Sequence, residues 1–388
     1  MRAPSRDGTD AATPLNLMVV NRSTEWCRAV MTAVDDLDAG LLTCGAGEAV
    51  KRLARTGTHY THLLVHERDA DGLTGALAEL AAEFANPDLD MLLLGCNADI
   101  ACAHLRVIEA AEPSAVHQAL ITSPPRSRPV LASDAASLAA MLDDAIVEVR
   151  YQPIIRISDR RPIGVEALAR LCHPALGRLL PDQFMPQIEE AGLAAGFTQR
   201  MISRVFADLL GSGLAGTGIR VSVNFPLDVL LCPGTLAWLE QQRAACGIPA
   251  DRIIVELTES QPVHHPDPVR RSVEHLRALG YGVAIDDVGP AVPHLERLLT
   301  LPFTSLKLDK GLVSQAERAP EVLHYLAETV RAAKAHDLKV VAEGVETEAA
   351  WTHMRSIGVD HVQGFLAARP LPRTAVPVWL QAWTGATV

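Results

Sequence analysis

Aromatic residues make up only 4 % of the sequence, too few to furnish the stacking platforms on which single-stranded nucleic acids lie. No run of lysine and arginine stands out, and the net charge is −11, which argues against bulk attraction to a nucleic acid polymer. No apolar run approaches the roughly 20 residues that cross a membrane as a helix, so no membrane attachment is expected. There is no CxxC pair, and the seven cysteines (Cys27, Cys44, Cys96, Cys102, Cys172, Cys232 and Cys246) are scattered. That spacing gives neither a disulfide framework nor a cysteine-rich zinc site and suits reduced thiols. The opening MRAPSRDGTDAATP lacks the apolar core of a signal peptide, and residues 1–13 read as a disordered tail. A soluble, cytoplasmic protein is expected.

Apolar residues are plentiful, at 48 % of 388 residues, enough for two or three cored domains. Over residues 14–124 the runs LNLMVV, LLTC, HLLVHE, MLLLGC and HQALIT alternate with helix-like stretches such as LTGALAELAAEF. That alternation predicts a doubly wound α/β domain on a parallel sheet. SPPRSRP then interrupts with three prolines, and DAASLAAMLDDAI reads as a short helix. Residues 125–146 are therefore taken as linker and helix. From 147 to 388, strand–helix units recur roughly eight times, as in a (β/α)8 TIM-type barrel.

The strands of that second region end in polar residues. GVEALAR carries Glu166 and Arg170, IRVSVN ends in Asn224, and RIIVELTE carries Glu256 and Glu259. GVAIDD ends in Asp286 and Asp287, SLKLDK carries Lys307, KVVAEGVE carries Glu343 and Glu346, and VDHVQG reaches Gln363. In a barrel, C-terminal strand ends converge on one mouth. Glu166, Asn224, Glu256, Asp286 and Asp287 all offer oxygen, which suits Mg2+ or Mn2+ rather than zinc. Adjacent aspartates can hold two metals about 3.5–4 Å apart, the arrangement that activates water against a phosphodiester. Arg170 can grip phosphate, Lys307 can stabilise its charge, and Glu343 is a candidate general base. The residues alone reach metal-assisted phosphate ester hydrolysis and no further.

Nine motifs in order resemble the EAL-domain cyclic di-GMP phosphodiesterases: YQPI (151–154), EALAR (166–170), HPALGRLLP (173–181), SVNFP (222–226), VELTES (255–260), IDD (285–287), LKLDK (306–310), AEGVET (342–347) and QGFLAARPLP (363–372). The resemblance implies hydrolysis of cyclic di-GMP to linear pGpG. It implies Glu166, Asn224, Glu256 and Asp286 around one metal, Asp287 at a second, and Lys307 and Glu343 around the attacking water. It places Gln152, Leu168, Arg170 and Gln363 against the dinucleotide or beside the site, Glu346 at the same mouth, and Glu259 as anchor of the loop after the aspartates. That loop departs from the family: DDVGPAVPHL stands where DDFGTGYSSL is usual. Pro290 offers neither hydroxyl nor N–H to Glu259, and two prolines stiffen the segment. The alternative to an enzyme is thus a catalytically weak or inactive cyclic di-GMP receptor that signals to a protein partner. The N-terminal domain resembles a response-regulator receiver without its phosphorylation groups. Its first strand ends in Asn21-Arg22, its third in His66-Glu67 and its fourth in Gly95-Cys96, and Ser123 precedes Pro124 where lysine is expected. The resemblance implies a degenerate receiver serving a homodimer or a protein partner.

Overall fold

The computed structural model describes residues 15–20, 39–53, 62–66, 90–94, 105–108, 146–173, 177–211, 214–258, 266–289 and 295–385, with isolated helical residues between 30 and 142. The expected tail, most of the expected linker, Glu259 and residues 290–294 lie outside these. The chain divides into two compact units, one within residues 1–126 and one that takes in 127–388.

The first unit holds strands β1 (Leu15–Val20), β2 (Ala39–Cys44), β3 (His62–His66), β4 (Asp90–Leu94) and β5 (Leu105–Ile108). All pair in parallel, in the order β2-β1-β3-β4-β5, with one correction: the fifth strand is LRVI, whereas HQALIT, expected as a strand, has Gln118 and Leu120 in helix. Consecutive residues Leu17 to Val20 and Leu63 to Val65 are buried, as expected of a parallel sheet covered on both faces. The helix Ala46–Leu53 buries Ala46, Ala49 and Val50, spaced to lie on one face.

The second unit holds β6 (Ile146–Arg156), β7 (Pro162–His173), β8 (Gly177–Leu179), β9 (Arg220–Pro226), β10 (Ile253–Thr258), β11 (Gly282–Val288), β12 (Ser305–Leu308), β13 (Lys339–Ala342), β14 (His361–Gln363) and β15 (Leu371–Pro372). Eight of them close a ring, β6-β7-β9-β10-β11-β12-β13-β14 and back to β6. The barrel is therefore as expected, with one correction to a regular (β/α)8 pattern: β6 runs antiparallel to both neighbours. The cause is the turn RISDRRP, too short for a helix. There the Arg156 N–H donates to the Arg161 carbonyl at 2.8 Å, Asp159 accepts from the Arg161 N–H at 3.2 Å, and Arg160 takes a φ of 57°.

Alternation along each strand divides the work. Val165, Val221, Val223, Val255, Val283, Leu306 and Val340 are buried beneath helices such as Ala194–Leu210, whose Phe197, Met201, Val205 and Phe206 recur at helical spacing. The alternate positions point into the barrel. Among the described residues, no helix is long and apolar enough to cross a membrane.

His361, on β14, supplies a test of packing at the barrel base. Burial, opposed by Asp360 and assisted by Lys339, Arg156 and Arg220, lowers its imidazole to about 4. The unfolded chain takes up a proton near 6.5 that the folded chain refuses. Stability is thus complete above that value and falls as pH drops toward 4, by at most about 3 kcal/mol. In urea unfolding between pH 7 and 4.5 the wild type should lose more stability on acidification than His361→Asn, by up to this amount.

Candidate active site

Lys307 projects from β12 into the barrel, 1 % exposed. Its ammonium lies 2.5 Å from Glu343 Oε1, 2.8 Å from Glu256 Oε2, 2.9 Å from Asp286 Oδ1 and 3.4 Å from Glu166 Oε2. Four carboxylates from four other strand ends, 177 residues apart in sequence at the extremes, thus meet one cation. Strand register accounts for the convergence: Asn224 stands opposite Glu256 between β9 and β10, and Glu256 opposite Ala284 between β10 and β11. Between β11 and β12 the register breaks from Ile285 to Val288. Asp286 and Asp287 fill this bulge, and Asp287 adopts a φ of 52°. Aspartate tolerates that left-handed conformation better than most residues. A bulge re-aims side chains: Asp286 is buried and Asp287 exposed.

A second set of hydrogen bonds fixes Glu166. Asn224 Nδ2 donates to its Oε1 at 2.7 Å, and Gln363 Nε2 donates to its Oε2 at 2.6 Å. Gln363 Nε2 also donates to Gln152 Oε1 at 3.0 Å, and Gln152 Nε2 donates to the Ala368 carbonyl at 3.1 Å. The antiparallel course of β6 puts Gln152 directly opposite Glu166.

One ammonium cannot neutralise this many acids. Burial raises Glu256 well above its ordinary value, against the pull of Lys307 and with the push of Glu166 and Asp286. Burial likewise raises Asp286, the partial desolvation of Asp287 raises it against Lys307, and burial pushes Glu343 up to about 8, Lys307 opposing and Asp286 and Glu166 assisting. Burial would raise Glu166 too, but Lys307 and the amides of Gln363 and Asn224 outweigh it and hold this carboxyl low. Lys307 stays charged because its carboxylate neighbours overcome its own burial.

Such a cluster calls for further positive charge, and its donor set is oxygen throughout, which fits a hard divalent cation. Asp286, Asp287 and Glu343 bring carboxylate oxygens within 4.8 Å of one another. Asp286 Oδ1 is buried and meets the Lys307 ammonium at 2.9 Å, and a carboxylate has further lone pairs to offer a cation. The geometry groups Glu343, expected as a base, with the two aspartates, while Glu343 and Asp286 share Lys307 with Glu166 and Glu256. Asn224 spends its amide on Glu166 and leaves its Oδ1 as a donor atom.

Of the other expected residues, Arg170 is buried on β7, its Nη1 donating to the Ala169 carbonyl at 2.8 Å. Leu168 is half-buried on the same strand, and Glu346 is exposed after β13. Sequence reasoning missed Arg150, a buried guanidinium opposite Leu168. It precedes Gln152 by two residues in EVRYQPI, and that spacing is the signal, because it puts both on one strand face.

Removing the central cation has a stated cost. Lys307→Met leaves buried carboxylates uncompensated, which typically destabilises by about 3–5 kcal/mol. Urea unfolding in chelator should show a loss of that order.

A family model described as "EAL domain" matches residues 135–370, more than half of the chain. The chain is 33 % identical over 248 residues to the cyclic di-GMP phosphodiesterase NbdA of Pseudomonas aeruginosa, covering 63 % of this chain and 31 % of that protein. It spans about a third of the length of such relatives, the oxygen sensor protein DosP of Escherichia coli included, at 31 %. Among solved structures, the PaMucR phosphodiesterase in complex with c-di-GMP is 29 % identical, with a TM-score of 0.56 over 61 % of this chain and 96 % of that one. Klebsiella pneumoniae BlrP1, solved as a manganese and c-di-GMP complex, is 27 % identical, with a TM-score of 0.51 over 58 % of this chain and 56 % of that one. With its carboxylate-lined barrel and this match, the chain belongs to the EAL-domain family.

Proposed function

We propose that the barrel hydrolyses cyclic di-GMP to linear pGpG with Mg2+ or Mn2+. The observation that carries this reading is the ring of Glu166, Glu256, Asp286 and Glu343 around Lys307, with Asp287 beside it. In the proposed assignment, Glu166, Asn224, Glu256 and Asp286 serve one cation and Asp287 a second, with Glu343 within reach of the latter. Bound cations of this kind polarise phosphoryl oxygens and lower the pKa of water.

The chain's own groups do the rest. Glu343, grouped with Asp286 and Asp287 and held by Lys307, is placed to accept the proton of the attacking water. Lys307 offsets charge that develops on the phosphoryl oxygens. The water oxygen joins phosphorus, the bond from phosphorus to one ribose 3′ oxygen breaks, and that oxygen leaves with a proton. Arg170 and Leu168 contact the dinucleotide from β7, with Glu346 at the rim. Gln152 and Gln363 orient Glu166, and Gln363 Oε1, buried with no donor among the described residues, remains an acceptor for ligand.

The second reading, a receptor that binds cyclic di-GMP without turnover, is favoured by one observation: VGPAVPH after Asp287 departs from the family pattern and has no threonine for Glu259 to anchor. The first unit is read as a degenerate receiver. Support comes from its strand order β2-β1-β3-β4-β5, the order of one common doubly wound fold, and from Asn21-Arg22 where acids would be needed. It would serve a homodimer or a protein partner in the cytoplasm.

Chromatography of nucleotides after incubation with cyclic di-GMP should reveal pGpG with Mg2+ or Mn2+ and none with chelator. Glu343→Gln should reduce turnover about 10²–10⁴-fold, the usual worth of a positioned base, while calorimetry still records cyclic di-GMP binding. Binding without product by the wild-type chain would replace the enzyme with the receptor.

A further inference from the structure

The ladder between β13 and β14 pairs only Val341 with His361 and Ala342 with Val362. Beyond it the chain is held from two sides. The Glu343 N–H donates to the Leu308 carbonyl of β12 at 3.2 Å. The Val345 N–H instead donates to the Gln363 carbonyl at 3.0 Å, and the Leu366 N–H donates to the Val345 carbonyl at 3.0 Å. Gly344 lies between these attachments with a φ of 65°. It lets the backbone change allegiance from β12 to β14 in one residue, because glycine takes a positive φ without steric cost.

Both attachments depend on missing side chains. A Cβ on Gly344 would come 2.8 Å from Lys310 Cβ. A Cβ on Gly364 would overlap the Val345 backbone at N, C and O, the carbonyl carbon at 2.6 Å. That backbone cannot yield by turning a side chain. The residues next to the two glycines are Glu343, which meets Lys307 at 2.5 Å, and Gln363, which meets Glu166 at 2.6 Å. Val345 itself is buried, 1 % exposed.

We infer that Val345, pivoted at Gly344 and seated on Gly364, is a clasp that positions Glu343 and Gln363 relative to each other across two strand ends. Gly344 and Gly364 are positioning residues: they touch no reacting atom and act through those two side chains. The kinetic consequence rests on the phosphodiesterase reading, while the consequence for metal binding does not. Displacing a reacting group by about 1 Å costs on the order of 10²-fold, and disturbing groups that orient metal ligands costs about 10–100-fold in affinity or activity.

The test compares Gly364→Ala with Gly358→Ala. Gly358 has a φ of 90° and only Lys334 Nζ near its added Cβ, at 3.6 Å, so alanine there strains the fold away from the site. Gly364→Ala should melt cooperatively, lose about 10–100-fold in kcat with KM changed less than about threefold, and bind Mn2+ about tenfold more weakly by electron paramagnetic resonance. Gly358→Ala should lower Tm and leave kcat and Mn2+ affinity as in the wild type. Wild-type kcat and Mn2+ affinity in Gly364→Ala overturn the clasp, as does an equal loss in both variants at matched Tm. Should Gly364→Ala not fold, Gly344→Ala is judged by the same criteria. Should the wild-type chain release no pGpG, the enzyme reading fails, and Mn2+ affinity alone decides on the clasp.

Discussion

A single buried ammonium organises the mouth of this barrel. Lys307 reaches Glu166, Glu256, Asp286 and Glu343, all within 3.4 Å. A lysine in an apolar core would shed its proton; here the surrounding carboxylates keep it charged. The same neighbours push one another's carboxyl groups upward. The site is therefore balanced in kind and unbalanced in amount, with more negative charge than Lys307 can offset. That imbalance, in a cluster of oxygen ligands, is what the proposed divalent cations would offset.

The backbone fixes where each charge stands. The parallel strands carry their functional residues at the same end of the ring, as barrel geometry requires. Local departures from that regularity then set the details. The bulge between Ile285 and Val288 separates Asp286 from Asp287, so neighbouring residues present one buried and one exposed carboxylate. The reversed β6 brings Gln152 opposite Glu166 and links the first and last strands of the ring through Gln363. The excursion after β13 sends Glu343 toward β12 and Val345 toward β14. Each irregularity lies within a residue or two of a group proposed to act on the ligand.

Much of this was legible in the sequence. Apolar runs ending in Glu, Asn, Asp, Lys or Gln announced both the barrel and the mouth, because alternation and strand-end chemistry are written residue by residue. The direction of β6 was not legible: a period of two is the same whether a strand runs up or down, and the short turn RISDRRP was the sole hint. Nor was the bulge at Asp286 and Asp287, since register depends on the partner strand. The hydrogen bonds that Gln152 and Gln363 make around Glu166 join residues up to 216 apart, and no local pattern encodes them. Arg150 went unnoticed because its burial near the mouth follows from the strand face it shares with Gln152. Gly364 reads in the sequence as one more turn glycine; its meaning comes from the Val345 backbone packed against it.

In the proposed site the carboxylates gathered by Lys307 hold divalent cations against a cyclic dinucleotide. Crystals of the chain grown with Mn2+ and cyclic di-GMP, measured at the manganese absorption edge, test it most directly. Anomalous peaks are expected within bonding distance of Asp286 and Asp287, with a phosphate of the dinucleotide beside them. A dinucleotide in the mouth without manganese at those aspartates, or manganese bound elsewhere, would contradict it.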